Sequence, residues 1–451
     1  MRQVYKFRID KNDEIYAKLK EMSRVAKDLY NQALWEIKEY YRKTGKTLSY
    51  EELDKIMKTK ENLEKKVNYR LLPAKVAQQV LKLMSQNVKA FFKALEDYQQ
   101  NPDKYAAPPR FPNFLPKDGY FVVVFTNQQA RIGKDGKIKL TTELAISIPQ
   151  EEFEKYRQYW IKTVAKKSRR KIKESIIPLF VQVRIVPKLH ATFFHVEIIY
   201  DRAETNTNLD VNRVVSIDLG VNNLAAIVDS EMGKENRPPV IINGKPLKSV
   251  NQYYNKQRAT LQKKLAQDDN TNSLKATSSK QTIKITDIRN QKIEDYLHKA
   301  SRFIIQYCLL HLIGHIVIGY NPQWKQSVNI GKRNNQNFVQ IPFFQFIRLI
   351  SYKAQLVGIK VTIEEESYTS KCSALDLENI AKHEDHAYAG KRVKRGLFAS
   401  ALGILINADV NGSLNILRKA IGDTFLQPFI RKVARLIPSS GYLSYPLKVC
   451  V

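Results

Sequence analysis

An excess of positive charge constrains this chain more than any other feature of its sequence. Its 451 residues include 75 Lys and Arg but only 44 Asp and Glu, a formal net charge of +31. Such a charge repels itself in a compact fold and exceeds what solubility requires, so it is normally retained for a polyanionic partner. The apolar fraction of 43% is typical of folded proteins. The sequence therefore predicts a globular protein that binds nucleic acid.

An anionic membrane surface is the competing polyanion, and the sequence does not support it. No apolar run approaches the ~20 residues that span a bilayer, and the start, MRQVYKFRIDKNDE, lacks the apolar segment of a secretory signal. The three cysteines, Cys308, Cys372 and Cys450, form no paired framework and suit a reducing compartment. We expect a protein of the prokaryotic cytosol.

The length predicts two or three domains, and the residue patterns change along the chain accordingly. Residues 1–9 alternate like a strand, residues 13–100 carry apolar residues at helical spacing, and a Pro-rich segment at 105–116 ends the helical part. Short β-patterns follow at about 120–200, with GKDG as a hairpin turn. The polar residues 201–212 are a predicted linker. Alternating strand and helix patterns then predict an α/β layer with a mixed sheet.

Two acidic residues stand where apolar, strand-like runs end. Asp218 ends VVSID and is followed by Gly220, and Asp409 lies where LINAD meets a helical pattern, two residues before Asn411. A buried carboxylate is costly unless a cation or donor compensates it, and ligand sites in α/β sheets gather at strand ends. We therefore expect the two acids to meet at one sheet edge. Grouped carboxylates suit Mg²⁺, and two such ions support phosphodiester hydrolysis. Taken alone, each motif also fits a turn or a helix cap.

Three stretches resemble the RuvC motifs of TnpB proteins. They are DLGVNNLA from Asp218, ESYTSK from Glu366 and NADVNGSLNI from Asn407. The resemblance extends to LYNQAL, LPAKVAQQV and PPRFPNF in the first quarter of the chain, and to DYLHKASRFII and IGYNPQWKQSVNIGKRNNQNFVQIP further on. It covers nearly the whole chain in the expected order.

TnpB proteins are transposon-encoded, RNA-guided DNA endonucleases related to type V CRISPR effectors. The resemblance implies an α+β multidomain fold in which a small β-barrel with a helical insertion precedes an α/β RNase H-like (RuvC) nuclease domain. The implied boundaries are 1–12 and 101–205 for the wedge-like barrel, 13–100 for the helical recognition domain, 212–436 for the nuclease, 371–403 for a degenerate zinc ribbon within it, and 437–451 for a C-terminal tail. The resemblance also implies two Mg²⁺ ions as cofactors, guide RNA and double-stranded target DNA as partners, and a monomer on its guide RNA.

The resemblance assigns Asp218 and Asp409 as catalytic metal ligands but leaves the second acid open. TnpB proteins commonly carry a glutamate at the end of the strand HIVIGYN, where this chain has Gly319. Either the site is broken, or the neighbouring strand KVTIEEES supplies the acid, since adjacent strands lie about 4.8 Å apart. Alternation does not choose firmly among its three glutamates. We favour Glu366, with Glu365 next.

The zinc ribbon is the second departure from the TnpB pattern. TnpB proteins usually carry two Cys-x-x-Cys knuckles between the second and third motifs, and here only Cys372 is present. With His383 and His386 it would give three ligands, one fewer than a structural zinc site needs. We therefore do not expect Zn²⁺.

Dense basic strings are the candidate nucleic-acid contacts, and the last of them, GKRVKRG, has the pattern of a phosphate-contacting loop. The candidate residues are Lys166, Lys167, Arg169, Arg170, Lys171, Lys332, Arg333, Lys391, Arg392, Lys394 and Arg395. Two alternatives to a nuclease stay open. Gly319 and the missing ribbon are compatible with a nuclease-inactive, RNA-guided DNA-binding protein that acts as a repressor. A guide-free transposase or junction resolvase is the third.

Overall fold

The chain divides into two compact units, residues 1–203 and 204–451. The computed structural model describes residues 2–132, 137–147, 181–201, 207–235, 237–268, 279–321, 339–383, 387–394, 396–428, 430, 443 and 446–451. Among the helices of these segments, none combines the length and the apolarity needed to cross a membrane.

The first unit contains two antiparallel sheets. Its strands are β1 (Arg2–Ile9), β2 (Val123–Thr126), β3 (Arg131–Ile132), β4 (Ile138–Lys139), β5 (Ala145–Ile146), β6 (Gln182–Lys188) and β7 (Phe193–Asp201). One sheet has the order β1-β7-β6-β2 and the other β3-β4-β5. The N-terminal strand pairs with β7 along its whole length, so its predicted association with the later strands is correct. The described strands do not form a closed barrel, so the barrel stays a prediction.

Three helices are described in this unit, of which the first and third pack against the four-stranded sheet and the second packs against the other two helices. They are α1 (Tyr16–Thr44), α2 (Tyr50–Met57) and α3 (Ala74–Gln100). Ser49 and Glu52 form a capping box at the start of α2, which stabilises a helix end by about 1 kcal/mol. Pro73 stands just before α3, where its missing N–H costs nothing. Helix and sheet side chains, among them Leu29 and Phe125, share one core.

The second unit contains a mixed six-stranded sheet and a smaller antiparallel sheet. Its strands are β8 (Asp210–Leu219), β9 (Asn223–Asp229), β10 (Val240–Asn243), β11 (Ile313–Gly319), β12 (Lys360–Glu364), β13 (Lys391–Lys394), β14 (Leu397–Ala399), β15 (Leu405–Asn407) and β16 (Leu447–Val449). Six of them form a sheet in the order β12-β11-β8-β9-β10-β16. Strand β9 is antiparallel to both β8 and β10, whereas β11 is parallel to β8 and β12 is parallel to β11. Strands β13, β14 and β15 form a separate antiparallel sheet.

Helices cover both faces of the six-stranded sheet. They are α4 (Met232–Glu235), α5 (Lys245–Asp268), α6 (Lys280–Leu310), α7 (Phe343–Leu356) and α8 (Ala408–Ile421). Val215 and Ile217 of β8 pack with α6 and α7, and Val214 packs with α8 on the opposite face. Successive side chains of a strand alternate between faces. Asp218 therefore belongs to the α8 face, with Val214 and Ser216.

Strands occur in three places that the sequence predicted as a linker, a tail and a loop. The predicted linker ends earlier than expected, because β8 begins at Asp210, which pairs with Ile313 of β11. The predicted C-terminal tail contributes β16, which pairs in parallel with β10. The string GKRVKRG was expected as a loop, yet it contains β13. Its side chains are exposed, so strand pairing with β14 costs its charged groups no desolvation.

Candidate active site

Asp218 lies close to the end of β8 and faces α8. Gly412 of α8 lies directly against it, since a Cβ added at Gly412 would stand 2.6 Å from the Asp218 Oδ2 atom. Any larger residue at this position would displace the carboxylate or the helix. On the same face of β8, the Ser216 hydroxyl donates to the Ser413 carbonyl at 2.7 Å. The start of α8 is therefore fixed against the strand that carries Asp218.

Asp409 comes from the first turn of α8. The Asn407 side chain caps this helix by accepting hydrogen bonds from the backbone amides of Asp409 and Val410, at 3.0 and 3.3 Å. Asp409 and Gly412 are three residues apart and share one helix face, which directs Asp409 to the side of Asp218. The expectation that both acids end strands of one sheet is wrong. The strand before Asp409, β15, belongs to the smaller sheet, so Asp409 reaches Asp218 from a helix end.

Asn223, the first residue of β9, holds the Asp409 carboxylate. Its Nδ2 atom donates to Asp409 Oδ2 at 2.5 Å. This residue was not among the predicted site residues. The available signal was its place as the second asparagine of VNN in the first motif. Nothing in that motif indicates a contact with a helix 186 residues away.

Glu366 follows the end of β12 and lies over Gly319 at the end of β11. The Glu366 Oε1 and Cγ atoms are 2.7 and 2.8 Å from the point where a Cβ on Gly319 would stand. The glycine thus leaves the space that the Glu366 side chain fills. Glu365 is exposed, and its carboxylate accepts a hydrogen bond from the Ser367 hydroxyl. Of the two favoured glutamates, Glu366 is the one beside Asp218.

The carboxylates of this cluster have too little positive charge around them to stay ionised together. Burial raises the pKa of Asp218 well above its ordinary value, and the charges of Glu366 and Asp409 raise it further. Arg392 and the Leu219 backbone amide oppose that shift. Burial raises the pKa of Glu366 to about 7, against the lowering effect of Lys419. Desolvated carboxylates at close quarters stay ionised together only when a cation is present.

The carboxylate oxygens of this cluster suit a divalent cation that prefers hard oxygen ligands. The Glu366 Oε1 atom is buried and has no hydrogen-bond partner among the described residues, so it is available as a ligand. Asp218 is the member on which both other carboxylates act. Asp218, Glu366 and Asp409 are the residues that would hold such a cation.

Arg392 of β13 lies near enough to Asp218 for its charge to lower the pKa of that carboxyl. Its neighbours Lys391 and Lys394 are exposed on the same strand. The remaining predicted nucleic-acid contacts lie outside the described residues: Lys166, Lys167, Arg169, Arg170, Lys171, Lys332, Arg333 and Arg395.

A second cluster occupies the region predicted as a degenerate zinc ribbon. The ligand atoms of Cys372, Glu378 and His383 lie within 4.8 Å of one another. Of the predicted ligands, His386 lies outside the described residues. Glu378, which the sequence did not suggest, is the third member.

Among the described residues this cluster offers three ligand atoms, one fewer than a structural zinc site needs, and each of its three residues makes hydrogen bonds within the loop. The two Glu378 carboxylate oxygens accept the backbone N–H groups of Ser373 and Ala389, at 2.6 and 2.9 Å. The Cys372 thiol donates to the Asn379 carbonyl at 3.4 Å, and His383 Nε2 lies 2.9 Å from the same oxygen. A nitrogen that donates to a carbonyl has no lone pair for a metal. The carboxylate of Glu378 itself joins the two sides of this loop.

A solved structure gives the class of fold. The chain is similar to the protein in the "Cryo-EM structure of the Cas12f1-sgRNA-target DNA complex", with a TM-score of 0.51 and 14% identity. The similarity covers 90% of this chain and 82% of that one. The mixed α+β architecture is thus similar to that of the Cas12f1 protein in this complex.

The sequence comparisons add similarity over parts of the chain. Residues 196–325 match the family described as "Probable transposase", and residues 343–416 match "Cas12f1-like, TNB domain". The chain is 28% identical over 218 residues to TnpB-like protein ORF457 of Acidianus two-tailed virus, which is 47% of this chain and 42% of that protein. It is 32% identical over 130 residues to TnpB-like protein MJ0751 of Methanocaldococcus jannaschii, 28% of this chain and 43% of that protein.

The match spans less than half the length of each of these two relatives. It confirms the resemblance that the three motifs indicated. The chain is a relative of the TnpB-like proteins.

Proposed function

We propose that this chain is an RNA-guided DNA endonuclease of the TnpB type that hydrolyses phosphodiester bonds with a two-metal carboxylate site. The observation that carries the proposal is the meeting of Asp218, Asp409 and Glu366, which come from a strand, a helix start and a strand end. Burial is the main cause of the raised pKa values of Asp218 and Glu366, and buried acids of this kind gather at functional sites.

The sheet supports an RNase H-like nuclease domain, which we place at about 210–449 because β8 and β16 belong to that sheet. Its first three strands are consecutive and antiparallel, and the next two add in parallel on the side of β8. In the first unit, we assign residues 13–100 to a helical recognition domain. We assign residues 1–12 and 101–205 to a wedge-like barrel.

Guide RNA and double-stranded target DNA are the proposed partners. The net charge of +31 suits a protein that holds a heteroduplex through its backbone. The Cas12f1 relative was solved with an sgRNA and target DNA. We expect the protein to act as a monomer on its guide RNA.

In this mechanism Asp218, Glu366 and Asp409 would hold two Mg²⁺ ions. Such ions supply an activated water and stabilise the departing oxygen of the cleaved bond. The chain contributes the geometry: Asn223 fixes Asp409, and Gly319 leaves the space for Glu366. Arg392, on an exposed strand near Asp218, can pair with a backbone phosphate of the substrate.

The test is cleavage of a plasmid that carries the guide-matched target and its flanking motif, with the guide RNA and Mg²⁺. We expect the wild-type complex to cut. Asp218→Ala should abolish cleavage and leave guide RNA binding intact, because the substitution removes a metal ligand and no basic contact. Absence of cleavage by the wild type with both Mg²⁺ and Mn²⁺ would contradict the proposal.

A nuclease-inactive, RNA-guided DNA-binding protein is the second candidate. Two sequence features favour it: the glycine at position 319, where TnpB proteins commonly carry a glutamate, and the missing Cys-x-x-Cys knuckles of the zinc ribbon. Its signature would be guided binding of target DNA without cleavage. That binding would be unaffected by alanine at Glu365 and Glu366 together.

A further inference from the structure

One face of α8 carries three polar side chains that all contact the same stretch of chain. Asn411, Asn415 and Lys419 are spaced four residues apart, so they form a row along the helix. Each of them hydrogen-bonds residues 365–374, here called the Glu366 segment. The segment therefore runs along the helix whose first turn carries Asp409.

The two asparagines fix the far end of the Glu366 segment. Asn411 accepts from the Ala374 backbone amide at 3.0 Å and donates to the Cys372 carbonyl at 2.9 Å. Asn415 donates to the carbonyls of Thr369 and Cys372 at 2.9 and 2.7 Å. Both side chains are fully buried, so these bonds are shielded from water.

Lys419 fixes the beginning of the Glu366 segment, close to the end of β12. Its Nζ atom donates to the carbonyls of Glu365 and Ser367, both at 2.9 Å. These carbonyls flank Glu366 on either side. An ammonium group has three donors and no acceptor, so one lysine can hold both peptide groups at once.

The turn that Lys419 holds is strained. Tyr368 adopts a φ of +63°, a conformation that is unfavourable for a bulky residue and persists only when its surroundings impose it. The Thr369 hydroxyl donates to the Glu366 carbonyl at 2.9 Å within this turn. Since Glu366 also lies beyond the end of β12, the sheet ladder does not fix its backbone.

We propose that Lys419 is a positioning residue for the nuclease site, which clamps the turn carrying Glu366 to the helix carrying Asp409. Through this clamp the two carboxylates belong to one rigid block, and only Asp218 comes from the main sheet. The effect of this clamp on catalysis rests on the proposed function. The hydrogen bonds by which Lys419 holds the turn do not depend on it.

The test compares Lys419→Met, Lys419→Arg and the control Lys360→Met in the full-length protein with its guide RNA. Lys360 is exposed at the other end of β12, so its substitution removes the same charge without touching the turn. The first readout is hydrogen–deuterium exchange of the Glu366 segment. We expect exchange about 10-fold faster in Lys419→Met, and wild-type exchange in Lys360→Met and Lys419→Arg.

The second readout is the Mg²⁺ concentration that gives half-maximal cleavage. It should rise about 10-fold in Lys419→Met, as expected when support for a metal ligand is lost. Target binding should be unchanged, and Lys419→Arg should recover most of the effect. A merely structural loss would lower target binding and cleavage together, without a change in the Mg²⁺ requirement.

Unchanged exchange in Lys419→Met would overturn the clamp. Faster exchange with an unchanged Mg²⁺ requirement would overturn its role at the site. If the wild type does not cleave DNA at all, the proposed function fails. The exchange measurement still decides whether Lys419 holds the turn.

Discussion

Glu366 and Gly319 fill one space from two neighbouring strands. The glycine ends β11, and the glutamate comes from beyond β12 to lie where a side chain on that glycine would project. A side chain on the glycine would displace the Glu366 side chain from this space, so the positions depend on each other. The carboxylate that β11 lacks at Gly319 is thus supplied by Glu366, which follows the neighbouring strand β12.

Gly319→Ala should therefore disable the site without touching any carboxylate. The added Cβ would stand 2.7 Å from Glu366 Oε1 and would also collide with Ile416. Misplacement of a reacting group by about 1 Å can cost about 100-fold in rate, and we expect a loss of this size in plasmid cleavage. The informative companion is Gly319→Glu combined with Glu366→Ala, which supplies the carboxylate from β11 and should recover part of the activity. Wild-type cleavage by Gly319→Ala would contradict the shared space.

Glu366 should also make the stability of the metal-free protein depend on pH. Its pKa is raised from 4.5 to about 7 in the folded protein, so the folded state holds a proton that the unfolded chain has released. The free energy of unfolding should fall as the pH rises from about 4.5 to about 7, by at most about 3 kcal/mol from this residue.

Thermal unfolding with EDTA across this pH window measures the effect of Glu366, and Glu366→Gln is the matched control. That variant should lose a large share of the pH dependence, and Asp218 should supply the remainder in the same direction. A pH dependence equal to that of the wild type would contradict the assignment to Glu366.

Individual residues of the site were predictable to different degrees. Asp218 ends an apolar strand, and the preference for Glu366 over Glu365 came from the resemblance to the second motif. Alternation could not decide between the two glutamates, because β12 ends at Glu364 and the turn beyond it has no fixed period. Asn223 and Lys419 carry no local signal of their roles, since each acts on a partner distant in the chain.

At the scale of elements, α8 organises the site more than the sheet does. Its first turn presents Asp409, its glycine admits Asp218, and its polar row holds the Glu366 segment. The sequence indicated this helix and its start correctly. It did not indicate that β15 belongs to a separate sheet, because three residues of strand cannot specify their partner. The meeting of the acids was therefore foreseen, but not the helix end that brings Asp409 to it.

The strands of the second unit were predicted better as individual elements than as a sheet. Alternation and apolar runs located β8, β11 and β12. The strand β16 was assigned to a tail because LKV is short and is bounded by positions that carry no periodic pattern. Its place beside β10 depends on a pairing of residues more than 200 positions apart, which local propensity does not encode.

At the scale of the whole molecule, the charge of +31 should dominate how the protein binds nucleic acid. Each phosphate that a Lys or Arg neutralises releases counterions, so the logarithm of the affinity falls linearly with the logarithm of the salt concentration. We expect a steep slope for guide RNA and for target DNA. The exposed strand β13 is the part of this surface that the second unit presents near Asp218, so its lysines should contribute to the slope for DNA.

Lys394→Gln should lower the slope for target DNA by about one, the value for a single lost phosphate contact. Lys360→Gln is the matched control, because it removes one exposed charge from β12 and should leave the slope unchanged. The measurement is target binding by the guide complex of an Asp218→Ala background at several salt concentrations, so that cleavage does not interfere. Equal slopes for both variants would mean that β13 does not contact DNA. A lower slope only in Lys394→Gln would place the backbone of the target DNA at β13. This strand also carries Arg392, which lies near Asp218 of the proposed nuclease site.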